Sequence, residues 1–134
     1  MSEVIRVLVV DDSAYVRKVV RQMLSQDPAI EVVGTARNGE EALELVERLE
    51  PDVVTCDLIM PEMDGFEFAE NLRKNEQWRS IPVIIITSKD LTPDEIGRLN
   101  GNVERILRKE SYAYSDLLGE IHRIAAHSGR EHGK

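Results

Sequence analysis

Short apolar runs rich in β-branched residues alternate along the chain with longer segments whose apolar positions recur every three or four residues. The runs have the length and composition of strands, and the longer segments have the period of amphipathic helices. The predicted strands are Val4–Val10, Ile30–Ala36, Asp52–Cys56, Pro82–Thr87 and Val103–Arg108. The predicted helices are approximately Ser13–Ser25, Asn38–Leu49, Asp64–Lys74, Thr92–Asn100 and Ser111–Ala126. Five strand–helix units in succession predict a parallel sheet that is covered by helices on both faces.

Local signals mark several helix ends. At three helix starts a side chain that can accept a hydrogen bond stands three residues before a glutamate, which is the spacing of a capping box. These pairs are Asn38 with Glu41, Asp64 with Glu67, and Thr92 with Glu95. Pro93 takes the first helical position after Thr92, where a residue without an N–H is well tolerated. Asn100-Gly101 is a typical helix end, since both residue types adopt the left-handed conformation.

The distribution of charge among the strands predicts their order. The interiors of the third and fourth strands are almost wholly apolar, which is typical of central strands buried on both faces. The second strand carries Glu31 and the fifth carries Glu104, Arg105 and Arg108, so we place these two at the edges. The order 2-1-3-4-5 results, which is that of a flavodoxin-like, doubly wound (βα)5 α/β fold. In such sheets ligands bind beyond the carboxyl ends of the strands where the winding reverses, here the crevice past strands one and three.

The length and composition predict one domain. A chain of 134 residues with 42% hydrophobic residues has room for a single packed core. We place the domain at residues 4–126, because residues 127–134 lose the apolar periodicity and are expected to fray. The sequence indicates no linker or second domain, so we expect a single-domain protein.

The formal net charge of −8 disfavours nucleic acid and anionic membranes as direct partners, and it leaves proteins and metal cations. No apolar run approaches the roughly 18 residues of a membrane-spanning helix. The start, Met1-Ser2-Glu3, lacks the basic and apolar regions of a signal peptide. The single cysteine, Cys56, excludes an intrachain disulfide and fits a reducing compartment. We therefore expect a cytoplasmic protein.

Acidic side chains come after two strands that the predicted order makes neighbours. Asp11 and Asp12 come after the first strand, and Asp57 after the third. Crowding of three carboxylates raises at least one pKa unless a cation compensates the charge. Magnesium fits best, because it is a hard ion held by one or two carboxylates together with water and phosphate oxygens. All three histidines fall in the last helix or the tail, so they offer no softer ligand set here.

A hydroxyl and an ammonium group are predicted at the same edge of the sheet. The fourth strand ends at Thr87-Ser88, and Lys109 comes directly after the fifth strand. Beside a carboxylate-bound metal, these groups would bind the oxygens of a phosphoryl group, whose transfer depends mainly on positioning and charge stabilisation. Asp57 is the candidate nucleophile, since it is central and an aspartate can form an aspartyl-phosphate.

With these residues in place, the chain resembles a response-regulator receiver domain of two-component signalling. The resemblance covers about residues 4–126 and rests on four elements in order, each at a predicted strand end. They are Val7-Leu8-Val9-Val10-Asp11-Asp12-Ser13, Asp57-Leu58-Ile59-Met60-Pro61-Glu62-Met63-Asp64-Gly65, Pro82-Val83-Ile84-Ile85-Ile86-Thr87-Ser88 and Lys109. Residues Val4 to Leu72 resemble the receiver of the chemotaxis methylesterase, and residues Ser88 to Lys109 look more like receivers of hybrid histidine kinases. This mixture assigns no pathway.

The resemblance implies a role for each site residue. Asp57 would be phosphorylated by a partner histidine kinase or a histidine phosphotransfer protein. Asp12 and Asp57 would ligate magnesium together with the main-chain carbonyl of Ile59, and Asp11 would act mainly through a metal-bound water. Thr87 and Lys109 would bind the phosphoryl oxygens. Such a domain is not an enzyme acting on other substrates, since it catalyses only its own phosphorylation and dephosphorylation.

Three departures from the family pattern bear on the site. Glu110 comes after Lys109, where the family usually has a proline, often after a cis bond. A cis bond before a non-proline costs about 3–4 kcal/mol, so this loop is either trans and differently shaped, or strained. Ile106 replaces the usual aromatic switch residue, and Tyr112 or Tyr114 could substitute for it. Ile59 and Lys89 occupy variable positions beside the phosphoryl site, and we predict that they lengthen the phosphoryl lifetime.

Several functional readings remain open at this stage. The domain could relay phosphate to a phosphotransfer protein, or it could dock an output target when phosphorylated. Partners could dock at the first helix, whose apolar residues Tyr15, Val16, Val19 and Val20 exceed one buried stripe, or around helix four, strand five and helix five. The enzyme alternative is an aspartate-nucleophile phosphatase, whose motif requires a second aspartate where this chain has Ile59. A dinucleotide-binding fold is disfavoured, because no Gly-x-Gly-x-x-Gly comes after the first strand.

Overall fold

Five strands and five helices alternate in the structure, a computed structural model that describes residues 4–109 and 114–132. The strands are β1 (Ile5–Val10), β2 (Ile30–Ala36), β3 (Val53–Cys56), β4 (Val83–Thr87) and β5 (Arg105–Arg108). The helices are α1 (Ala14–Ser25), α2 (Gly39–Leu49), α3 (Gly65–Lys74), α4 (Pro93–Leu99) and α5 (Tyr114–His132). None of the described helices is long and apolar enough to cross a membrane.

All strand pairs are parallel, and the sheet has the order β2-β1-β3-β4-β5. The predicted order and the flavodoxin-like fold class are therefore confirmed. Val10 pairs with Cys56 across β1 and β3, and Thr87 pairs with Arg108 across β4 and β5. The carboxyl ends of four strands thus lie at one edge of the sheet, and the residues just beyond them are neighbours in space.

The alternation of side chains along the strands divides the core into two parts. One part joins Leu8, Val54 and Ile85 to the buried residues of α2, α3 and Leu99 of α4. The other joins Val9 to the buried residues of α1 and α5. Because successive strand residues point to opposite faces, each central strand must be apolar at both its odd and its even positions. This explains why β3 and β4 are buried at every residue.

The predicted starts of the first four helices are correct to within one residue, since each of these predictions included the N-cap. Asp64 and Thr92 form reciprocal capping boxes with the glutamates three residues later. Asn38 accepts from the main-chain N–H of Glu41, but the Glu41 carboxylate accepts from the N–H of Arg37 instead of completing the box. At the end of α4, Asn100 is the C-cap and Gly101 has a φ of +82°.

Helix α5 is longer than the sequence pattern predicts. It continues through His132, although the apolar periodicity ends near Ala126. Adding a residue to an existing helix gains a hydrogen bond at low entropic cost, so a helix can continue after the apolar periodicity of its sequence has ended. The predicted helix start at Ser111 lies outside the described residues, and fraying of the tail stays a prediction.

Candidate functional site

The ends of β1 and β3 place Asp11 and Asp57 side by side. The hydrogen-bond ladder continues one residue beyond the strands, because the N–H of Asp11 donates to Ala36 and that of Asp57 to Val10, each at 3.0 Å. Both side chains are buried, with 4% of Asp11 and 6% of Asp57 exposed, whereas Asp12 faces solvent. One carboxylate oxygen from each of the three aspartates lies within 4.8 Å of the others.

Lys109 bridges the two buried aspartates. Its Nζ lies 3.0 Å from Oδ2 of Asp11 and 3.1 Å from Oδ2 of Asp57. The main chain positions the lysine, since its N–H donates to the carbonyl of Thr87 at 2.9 Å. The pairing of β5 with β4 therefore places the ammonium group of Lys109 in the acidic crevice.

Hydrogen bonds from the main chain fix the other carboxylate oxygens. The N–H of Ser13 donates to Oδ1 of Asp11 at 2.9 Å, and the N–H of Leu58 donates to Oδ1 of Asp57 at 2.7 Å. In both aspartates Oδ1 is thus held by the backbone, and Oδ2 points to the ammonium group of Lys109. The arrangement orients both carboxylates before any ligand arrives.

The pKa values of Asp11 and Lys109 are set by opposing effects of burial, hydrogen bonds and neighbouring charges. Burial raises the pKa of Asp11 above its ordinary value, and the negative charge of Asp57 adds to the rise, while the Ser13 N–H and Lys109 oppose it. Burial lowers the pKa of Lys109, but the hydrogen bonds and charges of Asp11 and Asp57 outweigh burial, so its pKa is raised overall. Lys109 is therefore charged, and it compensates the acidic cluster only in part.

Thr87 ends β4 at the same edge of the sheet and is fully buried. Its Oγ1 accepts a hydrogen bond from the N–H of Lys89 at 3.1 Å. The side chain of Lys89 forms an ion pair with Glu95, with 3.2 Å between Nζ and Oε2. Glu95 also completes the capping box of α4. The segment just after Thr87 is therefore linked to the start of α4.

The β3–α3 loop closes one side of the crevice. Its Ile59 side chain is 56% exposed, and its Glu62 has a φ of +62°, in the left-handed region. Asn38 donates to the carboxylate of Glu62 at 2.9 Å, which ties the loop to the start of α2. Gly65 ends the loop so close to the nucleophile that a Cβ there would lie 2.4 Å from the main-chain oxygen of Asp57.

The structure brings together Asp11, Asp12, Asp57 and Lys109, and it places Thr87 and Ile59 on elements at the same edge. Sequence reasoning missed Arg17, whose Nη1 donates to the main-chain oxygen of Asp11 at 2.7 Å and holds the end of β1. It also missed the close packing of Gly65, for which the only signal was a glycine directly after the cap residue.

Two further predictions concern the apolar patch on α1 and the replacement of an aromatic residue by Ile106. The apolar patch predicted on α1 is smaller than expected, because Val20 is buried and Val16 packs against the core, while Tyr15 is 75% exposed. Ile106 is half-buried and packs against the core cluster of α2 and α3. Glu110 and Tyr112 lie outside the described residues, as does the side chain of Tyr114. The shape of the loop after Lys109 and the replacement of the usual aromatic switch residue by one of these tyrosines therefore stay predictions.

The donor set fits a magnesium ion. Octahedral ligands about 2.1 Å from Mg²⁺ lie up to about 4.2 Å apart, and three carboxylate oxygens within 4.8 Å need only small movements to meet that geometry. The hard oxygen donors and their incompletely compensated negative charge favour a hard divalent cation.

Comparison with known proteins matches the chain to a family of receiver domains. The family model described as "Response regulator receiver domain" matches residues 7–122. Among curated relatives, a protein-glutamate methylesterase/protein-glutamine glutaminase of Koribacter versatilis is 55% identical over 63% of this chain and 22% of its own length. The corresponding protein of Bacillus subtilis is 52% identical over 63% of this chain and 23% of its own length. The match thus spans less than a quarter of these relatives.

Solved structures give the same result over nearly the whole chain. The response regulator domain of Thermotoga maritima CheB has a TM-score of 0.80 at 32% identity, over 91% of this chain and 96% of that one. The signal receiver domain of a histidine kinase from Syntrophus aciditrophicus has a TM-score of 0.81 at 27% identity, over 93% and 92% of the two chains. On the family match, the fold and these similarities, the chain belongs to the response regulator receiver domain family of two-component signalling.

Proposed function

We propose that this receiver domain accepts a phosphoryl group on Asp57 from a phosphohistidine of a partner histidine kinase or phosphotransfer protein, in a magnesium-dependent reaction. The observation that carries the proposal is the crevice itself. A buried central carboxylate stands within reach of two further aspartates and 3.1 Å from the ammonium group of Lys109. Such a cluster suits a transferred group that brings its own negative charge and a cation.

The reaction exchanges one bond to phosphorus for another. A carboxylate oxygen of Asp57 forms the new P–O bond while the P–N bond to the donor imidazole breaks, and the leaving nitrogen keeps the electron pair. Magnesium would neutralise charge on the phosphoryl oxygens, held by Asp12, Asp57 and the main-chain carbonyl of Ile59, with Asp11 acting through water.

Lys109 and Thr87 supply the remaining contacts. The ammonium group of Lys109, now shared between Asp11 and Asp57, moves to a phosphoryl oxygen once that oxygen carries the charge. The Thr87 hydroxyl accepts from Lys89 in this structure and keeps its own proton to donate to a second phosphoryl oxygen. We place the working unit at residues 4–126 and its location in the cytoplasm, consistent with an acidic chain that has one buried cysteine.

The experiment is treatment with acetyl phosphate and then intact-mass measurement, with and without magnesium. We expect one phosphoryl adduct per chain when magnesium is present, and none when magnesium is chelated before the acetyl phosphate is added. The matched control is Asp52→Asn, an exposed aspartate just before β3, which should be labelled like the wild type. An adduct that forms equally well without any divalent cation would contradict the proposal.

The rival function is a phosphatase that turns over small phosphate esters. It would need an acid/base group two residues after Asp57, where the chain has the exposed, apolar Ile59. Incubation with p-nitrophenyl phosphate and magnesium discriminates the two functions. Many turnovers per chain, abolished by Asp57→Asn, would establish the phosphatase.

Relay and output roles differ in the fate of the phosphorylated protein. In the output role, the affinity for a target protein changes when Asp57 carries the phosphoryl group. In the relay role, the group passes to a histidine of a second protein. Unchanged affinity for every candidate target, together with transfer to a phosphotransfer protein, would rule out the output role.

A further inference from the structure

Helix α1 concentrates positive charge in a chain that is acidic overall. It carries Arg17, Lys18 and Arg21 and no aspartate or glutamate, whereas the whole chain has a net charge of −8. By contrast, α2, which packs on the opposite face of the sheet, carries a run of glutamates on its exposed side. The charge is therefore segregated between helices, and α1 presents a basic surface of its own.

These cations line an open groove between α1 and the edge strand β2, which we call the α1–β2 groove. Its volume is about 570 Å³. Besides the three cations, its wall includes the polar residues Gln22, Gln26 and Thr35. Lys18 and Arg21 lie three residues apart and therefore on one side of the helix, both exposed to solvent.

The cations of the groove are not compensated within the part of the chain that the structure describes. Among residues 4–109 and 114–132, no carboxylate forms an ion pair with Lys18 or Arg21. Arg17 is the half-buried member, anchored by its hydrogen bond to the main-chain oxygen of Asp11. Two exposed positive groups and several amide and hydroxyl groups thus remain to contact a ligand.

We propose that the α1–β2 groove binds an acidic segment of a partner protein. A short acidic segment gains attraction from the two exposed cations and can hydrogen-bond to the glutamine side chains. Its small footprint keeps it on the basic helix and away from the acidic surface of α2. This proposal requires no phosphoryl transfer and does not rest on the function proposed above.

Two other occupants fit the groove less well. A nucleic acid or an anionic membrane extends beyond one helix and meets the net negative charge of the chain. A second copy of the chain could present its acidic α2 to this groove, but such a contact joins two different surfaces. It therefore tends to produce open-ended assembly rather than a closed dimer.

The test is a titration of the isotope-labelled protein with an oligoglutamate peptide at low ionic strength, monitored by nuclear magnetic resonance. We expect amide signals of α1 and β2 to shift and the shifts to disappear with added salt. In the Lys18→Glu/Arg21→Glu variant the affinity should fall by about tenfold. The matched control reverses the charge of two exposed cations on other helices, Arg48→Glu/Lys74→Glu, and should bind like the wild type.

A second variant, Lys18→Gln/Arg21→Gln, removes the charges without introducing acids and should lose affinity too, while circular dichroism checks that the fold is intact. The absence of binding, shifts outside α1 and β2, or equal losses in both charge-reversal variants would overturn the proposal. Tighter binding of an oligothymidine at the same residues would overturn it in favour of nucleic acid. Concentration-dependent self-association in sedimentation, lost in Lys18→Glu/Arg21→Glu, would overturn it in favour of a second copy.

Discussion

At Asp11, burial of the side chain conflicts with its negative charge. Its pKa is raised mainly by burial and further by the charge of Asp57, so the ionised form is less favourable in the folded protein than in the unfolded chain. For a carboxyl group with a raised folded pKa, the contribution to stability is greatest below the unfolded pKa of about 3.9. The contribution is lost as the pH rises through the folded pKa.

Replacing this group should stabilise the protein at neutral pH in the absence of divalent cations. We expect Asp11→Asn to have a larger free energy of unfolding than the wild type at pH 7. The difference should shrink as the pH falls towards about 4, where the wild-type carboxyl group is also protonated. Urea denaturation in a chelating buffer measures both quantities. Glu44→Gln, an exposed change on α2, serves as the control, and an Asp11→Asn variant no more stable than the wild type would refute this account.

At Ile59 the prediction concerns the lifetime of the phosphoryl group. The exposed apolar side chain lies two residues after Asp57, where it can hinder an attacking water. We expect Ile59→Asn to shorten the half-life of phosphorylated Asp57, measured by the decay of the intact-mass adduct after removal of the donor. Ile96→Asn, at an exposed apolar residue of α4, should leave the half-life unchanged. An equal or longer half-life in Ile59→Asn would show that this residue does not protect the phosphoryl group.

At the scale of elements, the start of α3 supports the nucleophile directly. Gly65 begins the helix with its N–H donating to the carbonyl of Leu58 at 2.9 Å, and it leaves no room for a Cβ beside Asp57. The glycine therefore sets how closely α3 can approach the end of β3. Gly97 in α4 is the opposite case, since a Cβ there would meet nothing within 4 Å.

These two glycines should respond in opposite ways to alanine. Gly65→Ala forces the helix away from Asp57 and should destabilise the fold by about 1–3 kcal/mol. Gly97→Ala should stabilise it by about 0.5–1 kcal/mol, because alanine loses less backbone entropy in a helix. Chemical denaturation measures both changes, and acetyl phosphate labelling should fall only in Gly65→Ala. Equal effects of the two substitutions would show that the contact between α3 and Asp57 is unimportant.

Much of the fold was predictable because its signals are local or periodic. The interiors of β3 and β4 are apolar because both faces of these strands are buried. Strands β2 and β5 carry charges because they lie at the edges of the sheet. The capping box at Asn38 was predicted wrongly in its second half, because Glu41 has a competing partner in Arg37. The end of α5 was also missed, since the prediction stopped where the apolar periodicity of the sequence ends, near Ala126, and the helix continues through His132.

The proximity of the acidic residues was also predictable, because the carboxyl ends of neighbouring parallel strands lie at the same edge of the sheet. This rule cannot supply contacts that depend on side-chain paths, and three such contacts were missed: Arg17 with the Asp11 carbonyl, Lys89 with Glu95, and Asn38 with Glu62. Each joins residues on the rim of the crevice, and no sequence spacing marks the two residues as partners. Such contacts became visible only in the structure.

At the scale of the whole molecule, a cation in the crevice would link the ends of β1 and β3 and stabilise the entire fold. Ligand that binds only the folded state adds about 2.7 kcal/mol at a concentration 100 times its dissociation constant. We expect magnesium to raise the melting temperature of the wild type, measured by circular dichroism. The rise should be much smaller in Asp12→Asn and unchanged in the control Asp94→Asn, an exposed acid of α4. An equal rise in all three proteins would mean that the ion binds elsewhere.

We propose that Asp57 is the residue that receives the phosphoryl group. The most direct test is to treat the protein with acetyl phosphate and magnesium, reduce the acyl phosphate with borohydride, and locate the modified residue by peptide mass spectrometry. We expect modification at Asp57 alone and none in the Asp57→Ala variant. Modification at Asp11 or Asp12 in the wild type, or undiminished labelling of Asp57→Ala, would contradict this proposal.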